Sequence, residues 1–418
     1  MRFVGIDVAA KRHVVAVVDE TGTLLLRATP VTEDTPGYRQ LLELIGPGDD
    51  CLVAMEATGH YWHNLYAALV TAGFEVALLN PLRTRRFAEE ELQRTKTDAI
   101  DAIGIARFAA QKRPAATKLP EPALLELREL VRLKQQVVQQ LGDRVRQLHR
   151  AVDLGFPEFT RHVRTLESEL ATTILAQYPT AAAFRSVSVK KLARLIYGGN
   201  HQVGEELART LIEAAKQSVG AHHGEPYRLQ VRYACEDIEL LRRRLRALEG
   251  DIERRLMQHE VGKLLTTING IGPQTATCIM GEVGDPARFH SLAALASYVG
   301  VIPRLRESGK RKKTRTAPPL PLGNARLRRA LWMPTLSAVR VNPWVRAYYQ
   351  RLRAVGKPAK VAMRKLLAAV YSVARHRRPF TLAPIFPPVV GGAVTLALAS
   401  RKLYASISET FLAGAHGI

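Results

Sequence analysis

The segment QRTKTDAIDA, residues 93–102, has two aspartates three residues apart, directly behind Lys96. On a helix, positions i and i+3 lie on one face, so the carboxylates of Asp98 and Asp101 would repel each other unless a cation lay between them. That cation is either a neighbouring Lys or Arg side chain or a divalent metal ion. The choice depends on which other acidic residues the fold brings to this helix.

Two further acidic residues lie in apolar segments. Asp7 is in RFVGIDV (2–8), which predicts a buried strand, where a carboxylate is costly unless it is paired or bound to a metal. Glu56 ends CLVAME (51–56), another predicted strand. Asp on a central strand, Glu on a neighbouring strand and Asp on a following helix is the layout of ribonuclease-H-like nucleases. In such enzymes, carboxylates hold two Mg²⁺ ions that activate the nucleophile and stabilise the leaving oxygen.

Each of these acids also has an ordinary structural explanation. Asp7 could form a buried ion pair with Arg12 or Lys11, and Glu56 could cap the turn that follows it. Asp98 could be a helix N-cap. Four carboxylates in this order make a joint accident less probable than any single one, so the sequence favours a metal ion between the two aspartates.

The predicted elements around these acids form an α/β layer over roughly the first 110 residues. Apolar, β-branched segments separated by turn residues predict five strands, and helical spacing in HNLYAALVTAG (63–73) predicts a helix between the last two. The predicted strands are residues 2–8, 13–19, 23–28, 51–56 and 75–81.

From Leu124 onward the pattern changes to long helices. Apolar residues on alternating three- and four-residue steps form one heptad seam over 124–152 and a second over 238–252. The two stretches could pair with each other as a helical hairpin or with a second protomer as a coiled coil. The seam residues are Leu124, Leu127, Val131, Val138, Leu141, Val145, Leu148 and Val152, then Ile238, Leu241, Leu245, Leu248 and Ile252.

After Val261, the segment LLTTINGIGPQTATCIMGEVGD resembles a helix–hairpin–helix. Its glycines Gly270 and Gly272 would let backbone N–H groups approach a phosphate, and the N-terminus of the second helix favours an anion. The alternative is a tight corner between two helices without a ligand. A basic loop, PRLRESGKRKKTR (303–315), and the motif GNARLRRAL (323–331) follow.

The composition points to a polyanionic partner. Lys and Arg outnumber Asp and Glu by 61 to 38, a net charge of +23, which makes nucleic acid the first candidate and an anionic membrane surface the second. Cys51, Cys235 and Cys278 have no Cys-x-x-Cys spacing, so we expect neither disulfides nor a zinc site, and a reducing cytoplasm fits. Prolines and glycines break the uncharged segment 379–400, so we expect no membrane span.

Several of these segments together resemble the DEDD-type transposases of bacterial insertion sequences, the insertion-sequence one-ten family. The resemblance is carried by FVGIDVAAKRHVVAVVD, AMEATGHYW, LLNPLRTRRFAEEELQRTKTDAIDA, INGIGPQTATCIMGEVGD, the basic loop and GNARLRRAL. It implies a RuvC-like, ribonuclease-H-fold catalytic domain (1–115) and a helical, coiled-coil linker and oligomerisation region (116–260). It further implies a mainly α-helical C-terminal transposase domain with a nucleophilic serine (261–380), before a tail of unknown role (381–418).

The resemblance also implies roles for individual residues. Asp7, Glu56, Asp98 and Asp101 would be the catalytic tetrad that binds Mg²⁺. Ser308 would attack a DNA phosphate and form a covalent phosphoserine, in a composite site with the metal-bearing domain. The residues expected to contact nucleic acid are Arg83, Arg85, Arg86, Lys96, Gly270, Gly272, Arg304, Arg306, Lys310, Arg311, Lys312, Lys313, Arg315, Arg326, Arg328 and Arg329.

The implied partners are target and donor DNA, a structured noncoding guide RNA that bridges them by base pairing, and further copies of the chain in a homodimer or homotetramer. A cytoplasmic, nucleoid-associated location would suit such partners. Two alternatives stay open at the level of sequence. One is a nuclease like the Holliday-junction resolvases, which would use the tetrad with water and leave Ser308 idle. The other is a nucleic-acid-binding protein without catalysis.

Overall fold

The computed structural model describes residues 1–92, 95, 97–302, 323–356 and 362–381. The chain divides into two compact units, Met1–Leu119 and a second unit that begins at Pro120. Some residues with expected roles lie outside the described residues. They are Lys96, Arg304, Arg306, Ser308, Lys310, Arg311, Lys312, Lys313 and Arg315, and the tail from residue 382 onward.

The first unit is built on a mixed five-stranded sheet in the order β3-β2-β1-β4-β5. Its strands are β1 (Arg2–Asp7), β2 (Arg12–Val18), β3 (Leu24–Thr32), β4 (Cys51–Glu56) and β5 (Glu75–Leu79). The first three strands are joined antiparallel, whereas β4 lies parallel to β1 and β5 parallel to β4. The five predicted strands are confirmed, and the mixed sheet with helices agrees with a ribonuclease-H-like domain.

Helices cover both faces of this sheet. They are α1 (Thr35–Ile45), α2 (Trp62–Thr71), α3 (Pro81–Glu90) and α4 (Asp98–Lys112). One face, which includes Ile6 and Met55, packs against α1 and α2. The opposite face, which includes Phe3 and Ala54, packs against α3 and α4. Apolar side chains therefore line both faces of the central strands, as expected for a sheet between two helical layers.

The described part of the second unit is almost entirely helical. Its helices are α5 (Pro122–Gly155), α6 (Phe159–His162), α7 (Glu169–Gln177), α8 (Ala181–Arg185), α9 (Val189–Ala193), α10 (Glu205–Lys216), α11 (Glu225–Gln258), α12 (Glu260–Leu265), α13 (Pro273–Val283), α14 (Leu292–Val299), α15 (Ala325–Val341), α16 (Pro343–Ala354) and α17 (Ala362–His376). A two-stranded hairpin, β6 (Ile196–Tyr197) with β7 (His201–Gln202), lies between α9 and α10.

The two longest helices, α5 and α11, pair with each other in antiparallel orientation. Three ion pairs join them: Glu126–Arg255 at 2.6 Å, Lys134–Glu249 at 2.9 Å and Arg144–Asp237 at 2.9 Å. Residue numbers fall along α11 as they rise along α5, so the two helices run in opposite directions. Of the two pairings that the sequence left open, this structure has the one within a single chain.

Each end of this helical pair enters its own hydrophobic core. Leu127 and Val131 of α5 pack with residues of α12 to α17, whereas Leu148 and Val152 pack with residues of α6 to α10. At 1.5 Å per residue, the seventeen residues from Val131 to Leu148 span roughly 25 Å. The helical pair therefore separates the two cores of the second unit.

The predicted seam of α5 is wrong at one position. Val137 is only 5% exposed, whereas the predicted seam residue Val138 is 47% exposed. Because two valines are adjacent here, the apolar pattern fits either of them. The packing of the folded helix, rather than the spacing, buries Val137.

Two expectations from the composition can be compared with the described residues. None of their helices is both long and apolar enough to cross a membrane. Cys51, Cys235 and Cys278 are buried free thiols, so no disulfide joins them.

Candidate active site

Asp7 and Glu56 end two neighbouring strands at the same edge of the sheet. β1 and β4 are parallel, and Ile6 is aligned with Met55, so the residues that follow are also side by side. Adjacent strands are about 4.8 Å apart. Because side chains alternate along a strand, Asp7 lies on the same face as Gly5, and this face is covered by α3 and α4.

Helix α4 crosses β1 at Gly5. A Cβ atom there would lie 2.2 Å from the oxygen of Ala102 and 2.3 Å from the nitrogen of Ala106, so the helix backbone rests directly on the strand. At the other end of α4, the guanidinium of Arg113 lies 5.9 Å from the ring centre of Phe3, near the start of β1. Helix α4 therefore runs antiparallel to β1, and its N-terminus points toward the carboxyl end of that strand.

Asp98 and Asp101 both lie in the first turn of α4. The N-cap is Thr97, whose hydroxyl oxygen accepts a hydrogen bond from the backbone N–H of Ile100 at 3.3 Å. The alternative in which Asp98 caps the helix is therefore wrong. Carboxylates in a first turn are stabilised by the helix dipole. The helix dipole therefore offsets part of the free-energy cost of placing these two charges together, without any metal ion.

Two threonine hydroxyls hold the carboxylate of Glu56. Thr84 Oγ1, in α3, donates to Glu56 Oε1, and Thr58 Oγ1 donates to Oε2 at 3.2 Å. Thr84 is buried, while Thr58 is exposed. Neither threonine stands out in the sequence. The available signal was that α3 starts where β5 ends, and β5 is the neighbour of β4, so the first turn of α3 lies close to Glu56.

The four predicted ligands share one edge of the sheet, but their side chains are not grouped into a preformed metal site. Among the described residues, no three His, Cys, Asp or Glu side chains are grouped so that they could hold one metal ion. The set of donors nevertheless fits Mg²⁺, which prefers carboxylate oxygens and is commonly held by one or two of them. Asp7, Glu56 and Asp101 are half-buried and Asp98 is exposed, so this edge of the sheet is accessible to solvent.

The arginines of α3 differ in what they contact. Arg83 lies over the ring of Phe108, 5.1 Å from its centre, and Arg85 donates to Glu89 at 3.0 Å. Arg86 is exposed, and the structure gives it no partner among the described residues. Of the three, Arg86 is thus the one whose charge is most available to a nucleic acid.

The helix–hairpin–helix segment corresponds to α12, a turn and α13. Gly270 has a φ of +99°, and a Cβ atom there would lie 2.6 Å from the Cβ of Ala338 in α15. The close approach at Gly270 is thus to another helix of the same unit, as in a tight helical corner. Gly272 is the N-cap of α13, and a Cβ atom there would meet no atom within 4 Å.

The arginines of GNARLRRAL lie in the first turns of α15. Arg328 donates to the backbone oxygen of Val299 at 3.0 Å and so caps the end of α14. Arg326 and Arg329 are exposed. The motif therefore combines one arginine that supports the fold with two that can reach a polyanion.

Family models match both halves of the chain. The DEDD-type IS110 transposase model, described as "Transposase", matches residues 4–157. A second model, described as "Transposase IS116/IS110/IS902 family", matches residues 262–350. Together the two segments cover more than half of the chain.

Two relatives match nearly the whole sequence, and a third matches about three quarters of it. A Streptomyces coelicolor protein named for the transposase of the IS117 mini-circle is 28% identical over 415 residues, which cover 94% of this chain and 98% of that protein. The 44.8 kDa protein of insertion element IS116 from Streptomyces clavuligerus is 26% identical over 91% of this chain and 96% of its own length. The pilin gene-inverting protein of Moraxella bovis is 26% identical over 78% of this chain and 80% of its own.

Proposed function

The chain belongs to the IS116/IS110/IS902 family of transposases, enzymes of DNA phosphoryl transfer, and we propose that it is an RNA-guided, Mg²⁺-dependent recombinase of an insertion sequence. In this proposal, Ser308 is the nucleophile and forms a covalent phosphoserine with one DNA end. The relative that is named for pilin gene inversion supports exchange of DNA strands rather than cutting alone.

The single observation that carries the proposal is the shared edge of Asp7, Glu56 and the first turn of α4. Two adjacent parallel strands end there in carboxylates, and a helix N-terminus with two more carboxylates points at the same edge. Bound Mg²⁺ would supply Lewis-acid stabilisation of charge on the phosphate oxygens. The chain's own part is to hold the carboxylates in place, which Thr84 and Thr58 do for Glu56.

Covalent catalysis by serine keeps the energy of the phosphodiester bond. In the proposed step, the Ser308 hydroxyl loses its proton as its oxygen bonds to the phosphorus, the bond from phosphorus to one DNA oxygen breaks, and that oxygen takes up a proton and leaves as a hydroxyl. Attack by a hydroxyl of another DNA strand reverses the step and joins new ends. The basic residues around Ser308 in the sequence supply positive charge for the phosphate in transfer.

The guide RNA and the oligomer are supported by charge and by family resemblance. A net charge of +23 suits a chain that binds RNA and DNA together. Exposed Arg86, Arg326 and Arg329 give both units cationic surface. Exchange between two DNA molecules needs at least two active sites, which suits a homodimer or homotetramer.

The test is a search for a covalent protein–DNA adduct. Purified protein, the noncoding RNA from the element, Mg²⁺ and end-labelled DNA are incubated together, and the products are separated under denaturing conditions. We expect an adduct that disappears in Ser308→Ala and in reactions without RNA. Cleaved DNA without an adduct would favour a resolvase-like nuclease, and an inactive wild type would favour a binding protein. An adduct that forms without RNA would refute the guide.

A further inference from the structure

A buried carboxylate in α13 joins three parts of the second unit. Glu282 is only 4% exposed. Its Oε1 accepts a hydrogen bond from Arg132 Nε at 3.3 Å, and its Oε2 accepts one from Asn324 Nδ2 at 2.7 Å. A buried carboxylate is costly unless such partners satisfy it, so this contact is either structural or functional.

Hydrogen bonds from both the side chain and the backbone fix Asn324. Its side-chain oxygen accepts from the backbone N–H of Leu327 at 3.0 Å, which makes it the N-cap of α15. Its side-chain nitrogen donates to Glu282, and its backbone N–H donates to the oxygen of Tyr298 at 2.8 Å. The side chain and backbone of one residue thus connect α13, α14 and α15.

Gly300 and Gly323, which flank segment 301–322, lie next to each other. Gly300 ends α14 in the left-handed conformation, with a φ of 79°, and Gly323 precedes Asn324. A Cβ atom at Gly323 would lie 2.7 Å from the backbone nitrogen of Gly300. The backbones at Gly300 and Gly323 are therefore in direct contact. The hydroxyl of Tyr298 donates to the backbone oxygen of Glu282 at 2.9 Å, which joins the end of α14 to α13 as well.

The same carboxylate connects the contact of Gly300 with Gly323 to the long helix α5. Besides the contact from Arg132, Arg128 Nε donates to the backbone oxygen of Gly281 at 2.6 Å. A Cβ atom at Gly281 would lie 3.2 Å from the Cα of Arg128, so α13 and α5 are in close backbone contact. Glu282 therefore lies between α5 and the contact of Gly300 with Gly323.

We propose that Glu282 and Asn324 are positioning residues for strand cleavage, because their contact fixes Gly300 and Gly323, the two residues that flank segment 301–322, against α5. The inference rests on the proposed function, since Ser308 belongs to that segment. Neither residue needs to touch DNA. Catalytic groups must be held within a fraction of an ångström, and a misplacement of about 1 Å can cost a factor of roughly 100 in rate.

The test exchanges the two side-chain groups. Glu282→Gln leaves one acceptor, the amide oxygen, where two donors each need an acceptor, and Asn324→Asp turns the contact into a repulsion between carboxylates. The double variant Glu282→Gln with Asn324→Asp restores every bond, because the glutamine amide now donates to the aspartate and its oxygen still accepts from Arg132. Aspartate remains a good N-cap, so α15 stays capped.

We expect each single variant to lower the single-turnover rate of DNA cleavage at least about tenfold, and the double variant to recover to within about threefold of wild type. The affinities for RNA and DNA should stay unchanged. Hydrogen exchange of peptides that contain 298–302 and 323–327 should rise in the single variants and return in the double variant. The matched control is Glu129→Gln, which removes the exposed partner of Arg132 and should leave the rate unchanged.

Two results would overturn the inference. One is a wild-type rate in both single variants. The other is a loss of rate that follows the loss of melting temperature and is not recovered in the double variant. Cleavage is scored with or without an adduct, so a failure of the serine mechanism would be visible separately. If the wild type does not cleave, the proposed function fails, and the exchange data alone decide whether the contact fixes Gly300 and Gly323.

Discussion

The hydroxyl of Thr84 donates a hydrogen bond to the carboxylate of Glu56 and thereby joins helix α3 to the end of strand β4. Thr84 is buried and its helix is capped by Asn80, whose side chain accepts from the N–H of Leu82 at 2.9 Å. One oxygen of Glu56 is therefore oriented by a rigid element. Removing a group that hydrogen-bonds to a metal ligand and orients it typically lowers metal affinity by about 10- to 100-fold.

Thr84→Val should therefore weaken the use of Mg²⁺. Valine has nearly the shape of threonine but cannot donate, so Glu56 loses its buried partner while the packing is kept. We expect the Mg²⁺ concentration for half-maximal DNA cleavage to rise roughly tenfold. The matched control is Thr58→Val, which removes the exposed hydroxyl and should shift the concentration much less. Equal shifts in both variants would mean that burial of the donor does not matter.

Asp98→Asn should abolish strand cleavage and leave RNA binding nearly intact. The substitution removes the charge from an exposed side chain in the first turn of α4, while Thr97 still caps the helix. The comparison is Asp49→Asn, an exposed aspartate in the turn before β4, at the opposite edge of the sheet. Cleavage assays and fluorescence anisotropy with labelled RNA measure the two properties. A collapse of RNA binding would show that Asp98 is structural.

Gly5→Ala should destabilise the first unit strongly. The added methyl group would overlap the backbone of α4 at Ala102 and Ala106, so the helix would have to move off the strand. We expect a loss of about 3 kcal/mol or more in urea denaturation. Gly250→Ala is the control, because a Cβ atom there meets no atom within 4 Å. Because that position is helical and open, alanine should raise the free energy of unfolding by as much as about 1 kcal/mol.

Stability of the first unit should fall in mild acid because of Glu33. Burial raises the pKa of its carboxyl, but hydrogen bonds outweigh this effect and hold the pKa below its ordinary value of 4.5. The donors are Tyr38, His13 and Asn64. A lowered pKa means that the unfolded chain binds the proton more tightly, so the stabilisation is complete above about pH 4.5 and is lost as the pH falls through the native pKa.

Tyr38→Phe should weaken this pH dependence. It removes a hydroxyl that donates to Glu33 at 2.6 Å, so the native pKa should move back toward its ordinary value. The free energy of unfolding should then change less between about pH 5 and pH 3. Tyr61→Phe, on an exposed tyrosine, should keep the wild-type profile. An unchanged slope in Tyr38→Phe would argue against the hydrogen bond as the cause.

Adjacent arginines of α15 should respond differently to truncation. Arg329→Ala should weaken DNA binding at all sequences and reduce the slope of log affinity against log salt by about 1, because an exposed cation is lost. Arg328→Ala should instead lower the melting temperature, since its contact with the Val299 oxygen contributes about 1 kcal/mol. If Arg329→Ala leaves the salt slope unchanged, this face of α15 does not bind DNA.

The strands of the first unit could be predicted from sequence because β-branched residues and turns mark them one by one. Helix α1 was not predicted. Its signals are local, namely Asp34 as N-cap and a proline in the first turn, and its apolar stripe is short, with Leu41 and Ile45 buried. The intramolecular pairing of α5 with α11 could not be chosen either, since a heptad seam fits a partner in the same chain or in another.

The acidic edge could be anticipated from residue types, but its supporting contacts could not. The order of Asp7, Glu56 and Asp98 suggested neighbouring strands and a following helix. Thr84 gave no periodic signal, because a hydroxyl that orients a carboxylate is defined by tertiary position. Gly270 shows the opposite case. In the sequence this glycine suggested contact with a phosphate, whereas in the structure its close contact is with Ala338.

The antiparallel run of α5 and α11 has a consequence for engineering. The chain enters α6 to α10 from α5 and returns through α11, which also contacts this group of helices through Arg242 and Arg246. A short turn grafted after the Arg144–Asp237 ion pair could replace α6 to α10, or a fluorescent protein could be inserted there, with the rest of the polypeptide left covalently continuous. Lengthening the helical pair would need equal insertions in α5 and α11, since one unmatched residue would break every ion pair beyond it.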